Sequence, residues 1–447
     1  MESSPIKNAQ PTGTGRLNSR ADIGAALADA RVRTLAAYSH LLEERLAVPF
    51  LSVINPPLWE LGHIAWFEER WCSRRQADGH WSPSLRRDAD ALYDSIAIPH
   101  ASRWALPLPN RSGTLAYMEA VRDATLKALE HCDEAALDFF RLALSHEDMH
   151  DEALWMTLQT LAYPAPLRQA PPLEAPPCSA LSGDALFDGG EFLMGADRDS
   201  AEFVFDNERW SHPVHIAPFR MARRCVSNGE FLAFVEDGGY QRRSCWDEAG
   251  WNWRSKNAAE HPLYWRRAAE GWQQRCFDHW APLVDEQTLV CVSAYEADAW
   301  CRWAGRRLPS EGEWEFACRA GQPQGAGNDN DNAPWGRRPP RRAEANLDDH
   351  WHAPISAAAL PDGATPAGLL QMLGNVWEWT STAFAPYPGF VAGPYLEYSA
   401  PWFHNHRVLR GGSFATRSRL VDSRWRNFYL PERRDAFAGF RSCAAIP

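Results

Sequence analysis

The chain has 447 residues, of which 45% are hydrophobic and 23% charged, a balance that excludes overall disorder and leaves room for two or three domains with cores of their own. Its 46 basic and 57 acidic side chains give a formal charge of −11 with no long Lys or Arg run, which argues against nucleic acid as a partner. No apolar stretch approaches the roughly 20 residues that cross a bilayer, and the opening MESSPIKNAQPTGTG lacks a signal-peptide core, so a cytoplasmic protein with no membrane partner is expected.

From about Ala21 to Tyr163 the pattern is helical. Arg31 to Leu46 is rich in Ala, Leu, Glu and Arg. Asn55-Pro56-Pro57, a capping residue followed by proline where a first turn tolerates it, opens a helix through LWELGHIAWFEERW. A third helix is expected near Thr114 to His131, and a fourth from Asp133 to just before Pro164. Four helices of this length predict an antiparallel all-α bundle over 21–163. Prolines at 164, 166, 171, 172, 176 and 177 then make 164–180 a semi-rigid linker.

Beyond it, over 181–447, short strand-like pieces, Gly turns and Trp clusters predict an α+β domain with many loops, with helices at SAYEADAWCRWAG and SEGEWEFACRA. Most of the 22 tryptophans lie past Trp210, which points to aromatic packing. Ten scattered cysteines with no C-x-x-C pair predict free thiols rather than a disulfide framework or a zinc ribbon.

The fourth helix carries SHEDMHDE, which contains a literal H-E-x-x-H. Phe139, Leu142, Ala143, His146, His150, Ala153, Leu154, Thr157, Leu158 and Leu161 recur every three or four residues, so both histidines fall on one apolar stripe. Two imidazoles at i and i+4 can present nitrogens to one ion; the bland alternative is two core histidines bonded to neighbours. A zinc peptidase would need a third ligand downstream, and DEALWMTL offers none. His63, which shares a helix face with Trp59, Trp66 and Arg70, can supply it from another helix of the bundle. Three imidazoles leave vacancies that suit zinc or iron(II), and spacing does not choose between them. Glu147 then has no peptidase role and is expected beside the ligands or on the surface.

Two sets of motifs carry a resemblance. The distant His followed by H-x-x-x-H-x-E (His63, His146, His150, Glu152) resembles DinB-like metal-binding bundles. WAGRRLPSEGEWEFACRAG, GNVWEWT, RVLRGGSF and GFR are similar to the formylglycine-generating-enzyme-like domain, a variant of the C-type lectin fold. In this order, the pair resembles the non-heme iron family of ergothioneine synthases. NPPLWELGHIAWFEERW, HEDMHDEALWMTLQTLAYPAP and RNFYLPERRDAFAGFRSCA are most similar to its selenoneine-forming branch. The resemblance implies iron(II) on His63, His146 and His150, with hercynine, dioxygen and a selenosugar as substrates. It implies a carbon–selenium bond at the imidazole C2 and a selenoxide that breaks down to selenoneine.

It also implies roles in the second domain. In GPYLEYS, Tyr395 matches the proton donor near the iron and Tyr398 a hercynine-binding tyrosine; loop packing is the alternative for both. In RNFY, Asn427 matches a substrate-binding amide, and Phe428 sits where an aromatic ring could meet hercynine's trimethylammonium group. Tyr429 stands where sulfur-using relatives with a γ-glutamylcysteine donor keep an aspartate, which favours an uncharged sugar donor. Arg103 lies where relatives keep donor-binding arginines. Trp314, Trp377 and Trp379 are expected in the core.

Three rivals stand beside this assignment. Ergothioneine synthesis proper would use the same iron and hercynine with a sulfur donor. A zinc-dependent thiol transferase could use the same bundle. In a ligand-binding module the histidines would only stabilise the fold. Formylglycine generation is disfavoured because no cysteine lies between Cys318 and Cys443.

Overall fold

The computed structural model describes residues 17, 19–76, 78–166, 176–198, 203–319, 333–336 and 338–445. Its first part is helical. Helix α1 (Arg20–Ser39) starts at a capping box formed by Ser19 and Asp22. Helix α2 (Pro57–Glu68) continues into a π-helical turn, Glu69–Arg74. After the short α3 (Ala89–Tyr93), α4 (Arg111–His131) begins at Asn110, whose side chain accepts the Gly113 N–H at 3.0 Å. Helix α5 (Leu137–Leu161) ends at Ala162 in the left-handed region.

Local chemistry moves three of the expected helix ends. The pattern from Arg31 to Leu46 is interrupted: α1 stops at Ser39, and Glu43–Leu46 is a separate 3-10 turn entered through an extended Leu42. Helix α5 starts at Leu137 rather than Asp133, because the Asp133 carboxylate accepts the Ala136 N–H at 2.8 Å and holds a turn there. Asn55 does not cap α2; Pro56 occupies the N-cap position, and the Asn55 amide reaches Glu60 instead.

Helix α1 packs along α5, and α2 packs on both α4 and α5. Among these helices lies a charged cluster. Arg31 bonds Glu68 at 2.6 Å and Glu147 at 2.8 Å, and Arg122 bonds the same two carboxylates at 3.0 and 2.6 Å. Glu147 is therefore neither on the surface nor beside the histidines: it is 1% exposed and committed to two guanidinium groups. Buried charges persist only when matched in this way.

In the second part, one four-stranded sheet orders Asp184–Phe187, Phe219–Ala222, Cys443–Ala444 and Arg306–Arg307. The other orders Asn427–Tyr429, Arg407–Arg410, Trp377–Ala383 and Ala438–Gly439, with only the last pair parallel. The two expected helices form at Ala294–Trp303 and Glu311–Arg319; Ser293 caps the first, and Ser310 accepts the Glu313 N–H at the start of the second. Trp314, Trp377 and Trp379 are fully buried. Acids of the same motifs are paired inside the core: Glu378 with Arg441 at 2.6 Å, Glu315 with Arg410 at 2.5 Å and Glu311 with Arg426 at 2.7 Å. None of the ten cysteines forms a disulfide, and seven are buried.

The two parts interlock along α5, which is why that helix is buried on nearly all sides. Glu152 accepts from Trp377 Nε1 at 2.8 Å, Ser413 Oγ at 2.6 Å and Thr416 Oγ1 at 2.7 Å. Asp148 takes both arms of Arg419 at 2.6 and 2.7 Å. Residues 167–175, the middle of the expected linker, lie outside the described residues. No described helix is long and apolar enough to cross a membrane.

Candidate metal centre

The apolar periodicity of α5 turns His146 and His150 toward α2, and α2 presents His63 in return. One nitrogen from each ring lies within 4.8 Å of the others, and among the described residues this is the one group of three or more potential metal ligands. The Nε2 atoms of His146 and His150 are 3.1 Å apart. That spacing suits two neighbouring ligands on one ion with metal–nitrogen bonds of about 2.1 Å.

Each ring is held from behind. His63 donates Nδ1–H to the Tyr93 carbonyl at 2.8 Å, which leaves its Nε2 free. Gly62 permits this contact, because a Cβ there would stand 2.3 Å from the Tyr93 ring. His150 Nδ1 meets Glu60 Oε1 at 2.5 Å. His146 stacks on Phe67 with centroids 3.6 Å apart, and its Nδ1 is buried without a partner. Trp59 stacks on His63 at 4.8 Å.

Burial pushes the His63 imidazolium down to about 3, with His150 adding to the effect. Burial likewise pushes His146 well below the ordinary histidine value. Both rings are therefore neutral at neutral pH, the form in which imidazole binds a metal. Burial tends to raise the Glu60 carboxyl, but His150, His63 and Asn55 outweigh it, so Glu60 is an anion. Three converging imidazole nitrogens, with one ring backed by a carboxylate, form a donor set that fits a divalent cation of the zinc or iron(II) type.

The second part of the chain supplies a wall. The Tyr395 ring lies 6.2 Å from the His146 ring and 4.9 Å from Phe67. Tyr398 follows 5.9 Å from Tyr395, stacks on Phe205 at 4.2 Å and donates its hydroxyl to Met149 Sδ at 3.6 Å. Phe428 lies 5.9 Å beyond Tyr398 and stacks on Phe384 at 4.0 Å. Burial pushes the Tyr395 and Tyr398 phenols well above the ordinary tyrosine value, so both stay protonated.

Strand alternation places Asn427 and Tyr429 on one face and Phe428 on the other. The Asn427 carbonyl oxygen accepts the Phe428 N–H at 2.8 Å. Tyr429 is half-buried beneath the Arg433 guanidinium at 4.9 Å, and burial pushes its phenol up to about 12. Arg103 sits behind α2, donating to Asn55 Oδ1 at 2.6 Å and covering the Trp59 ring at 3.9 Å. Glu60, Tyr93 and Phe67 escaped the sequence reading. Glu60 and Phe67 stand three residues before and four after His63, the spacing that shares a helix face, and this was the available signal.

Residues 174–446 match the family model described as Sulfatase-modifying factor enzyme 1-like domain, so the class is that domain joined to a helical N-terminal region. The chain is 37% identical to the hercynine oxygenase of Mycolicibacterium thermoresistibile over 429 residues, covering 94% of each chain. It is 36% identical to the hercynine oxygenase of Mycobacterium tuberculosis, covering 93% of this chain and 96% of the relative. The formylglycine-generating enzyme of Streptomyces coelicolor is 30% identical over 288 residues, 57% of this chain and 85% of its own. The chain belongs to the hercynine oxygenase family.

Proposed function

We propose that this chain is a cytoplasmic, iron(II)- and oxygen-dependent selenoneine synthase that joins a selenosugar to C2 of the hercynine imidazole. Its N-terminal helices, over 21–163, act as a DinB-like four-helix bundle that carries the metal, and 181–447 acts as the substrate wall after the linker 164–180. The observation that carries the proposal is the convergence of His63, His146 and His150 beside Tyr395. The hercynine oxygenase names of its relatives supply the substrate.

Iron(II) bound by the three imidazoles would supply one-electron chemistry with dioxygen. The overall change balances as follows: the imidazole C2–H and the selenol Se–H are lost, a C–Se bond forms, one oxygen atom ends on selenium and the other leaves as water. Tyr395 holds a proton at Oη beside the metal ligands and is the proton donor. Tyr398 and Asn427 orient hercynine, and Phe428 offers a ring face to its trimethylammonium group. Phe67 packs on Tyr395 and Phe205 on Tyr398, apolar rings that would keep water from the reacting edge.

Selenium rather than sulfur is favoured by Tyr429. It puts a neutral hydroxyl and ring face, backed by Arg433, where an aspartate would serve the ammonium of γ-glutamylcysteine. Arg103 completes the donor side. The decisive experiment supplies iron-loaded protein with hercynine, dioxygen and either a selenosugar or γ-glutamylcysteine, with products identified by mass spectrometry. The selenoxide or selenoneine is expected. Faster turnover with the thiol peptide would overturn the selenium assignment and leave ergothioneine-type chemistry.

A further inference from the structure

Arg103, Asn55 and Glu60 line up behind His150. The Arg103 guanidinium donates Nη1–H to Asn55 Oδ1 at 2.6 Å. Asn55 donates Nδ2–H to Glu60 Oε2 at 2.5 Å. Glu60 Oε1 faces His150 Nδ1 at 2.5 Å. Glu60 is 4% exposed, so water does not compete for its oxygens.

The direction of this chain follows from what each group can do. Arginine has donors only, so the atom of Asn55 that it meets must be the oxygen. That choice turns the Asn55 NH₂ toward Glu60, whose Oε2 accepts it. Glu60 Oε1 faces His150 Nδ1 at 2.5 Å, a pairing a carboxylate oxygen makes as acceptor, so the N–H is assigned to Nδ1 and Nε2 is turned toward His146. The same guanidinium covers Trp59 at 3.9 Å, and Trp59 stacks on His63 at 4.8 Å with an interplanar angle of 9°. His146 has no such control, since its Nδ1 is buried without a partner and a phenyl ring holds it.

From this geometry we infer that Glu60 is a positioning residue for the metal. Through the Arg103–Asn55–Glu60 relay it locks His150 as the Nδ1–H tautomer, and Arg103 ties that lock to the Trp59–His63 stack. The inference rests on the three histidines binding a divalent cation. It gives Arg103 a positioning role through Asn55 and Trp59, in addition to the donor-side role proposed above. Loss of the carboxylate removes the acceptor that orients and enriches the ligand ring, a change that lowers metal affinity by about 10–100-fold.

Glu60→Gln is the sharp test. A glutamine can still accept from His150, but its NH₂ then faces the Asn55 NH₂, and Asn55 cannot turn over without pointing that NH₂ at Arg103. Anaerobic titration with Co(II) should show wild type binding one ion, and Glu60→Gln and Asn55→Ala binding it about 10–100-fold more weakly with altered ligand-field absorption. Nitrogen-15 NMR of the metal-free wild type should report His150 protonated on Nδ1. A wild type that takes up no divalent metal would sink the metal centre itself. Equal affinity and an unchanged spectrum in the variants, or a His150 protonated on Nε2, would sink the relay alone. If Glu60→Gln does not fold, Asn55→Ala and the wild-type tautomer still decide.

Discussion

Trp377 donates its indole N–H to Glu152 at 2.8 Å, so a tryptophan of the second part is bonded to the helix that carries two of the three histidines. Ser413 and Thr416 bring two more donors to the same buried carboxyl. Glu152→Ala strands all three donors in a dry interior and should lower unfolding free energy by about 3 kcal/mol. Glu152→Gln keeps one oxygen acceptor and should lose only about 1 kcal/mol. Urea denaturation midpoints for the two variants check the ordering.

Glu147 belongs to the literal H-E-x-x-H but serves the fold. Its removal leaves Arg31 and Arg122 sharing the single carboxylate of Glu68, an uncompensated buried charge that should cost about 3–5 kcal/mol in Glu147→Ala. Metal stoichiometry should be unchanged at temperatures where the variant stays folded. Denaturation together with metal analysis separates these outcomes, and loss of metal without loss of stability would contradict the assignment.

Glu208 should make stability depend on pH. Burial pushes its carboxyl up to about 8, Asp422 adds to the rise, and Arg424 and Arg410 oppose it. A folded value above the unfolded one means that the folded state favours the protonated form. The contribution is complete below the unfolded value and fades as pH rises through about 8. Wild type should therefore lose more melting temperature between pH 6 and pH 9 than Glu208→Gln, which resembles the protonated form. Identical pH profiles for the two proteins would refute this.

The histidine cluster should couple metal to stability. A cation held only by the folded protein stabilises it by about 2.7 kcal/mol at 100 times its dissociation constant. Melting temperature should rise with anaerobic Fe(II) or Co(II) in wild type, and the rise should vanish in His63→Ala and His146→Ala. Calorimetry with and without metal measures it.

Much of this architecture was legible because it is written in short-range pattern. The i, i+4 histidines, the apolar stripe of α5, the Ser293 and Ser310 caps and the tryptophan-rich motifs are local signals, and each appears where periodicity or capping chemistry required it. The expected helix ends moved where one side chain chose a different partner, as Asp133 and Asn55 did.

By itself the sequence determined which residues could be ligands and which faces would be apolar, since side-chain type and helical period are properties of neighbouring residues. Only the tertiary structure decided what stands behind those ligands. Glu60 and the Tyr93 carbonyl reach His150 and His63 from 90 and 30 residues away in the chain, and Arg31 reaches Glu147 from 116. A buried polar group takes whichever partner folding brings within hydrogen-bond range, and no local pattern encodes that choice.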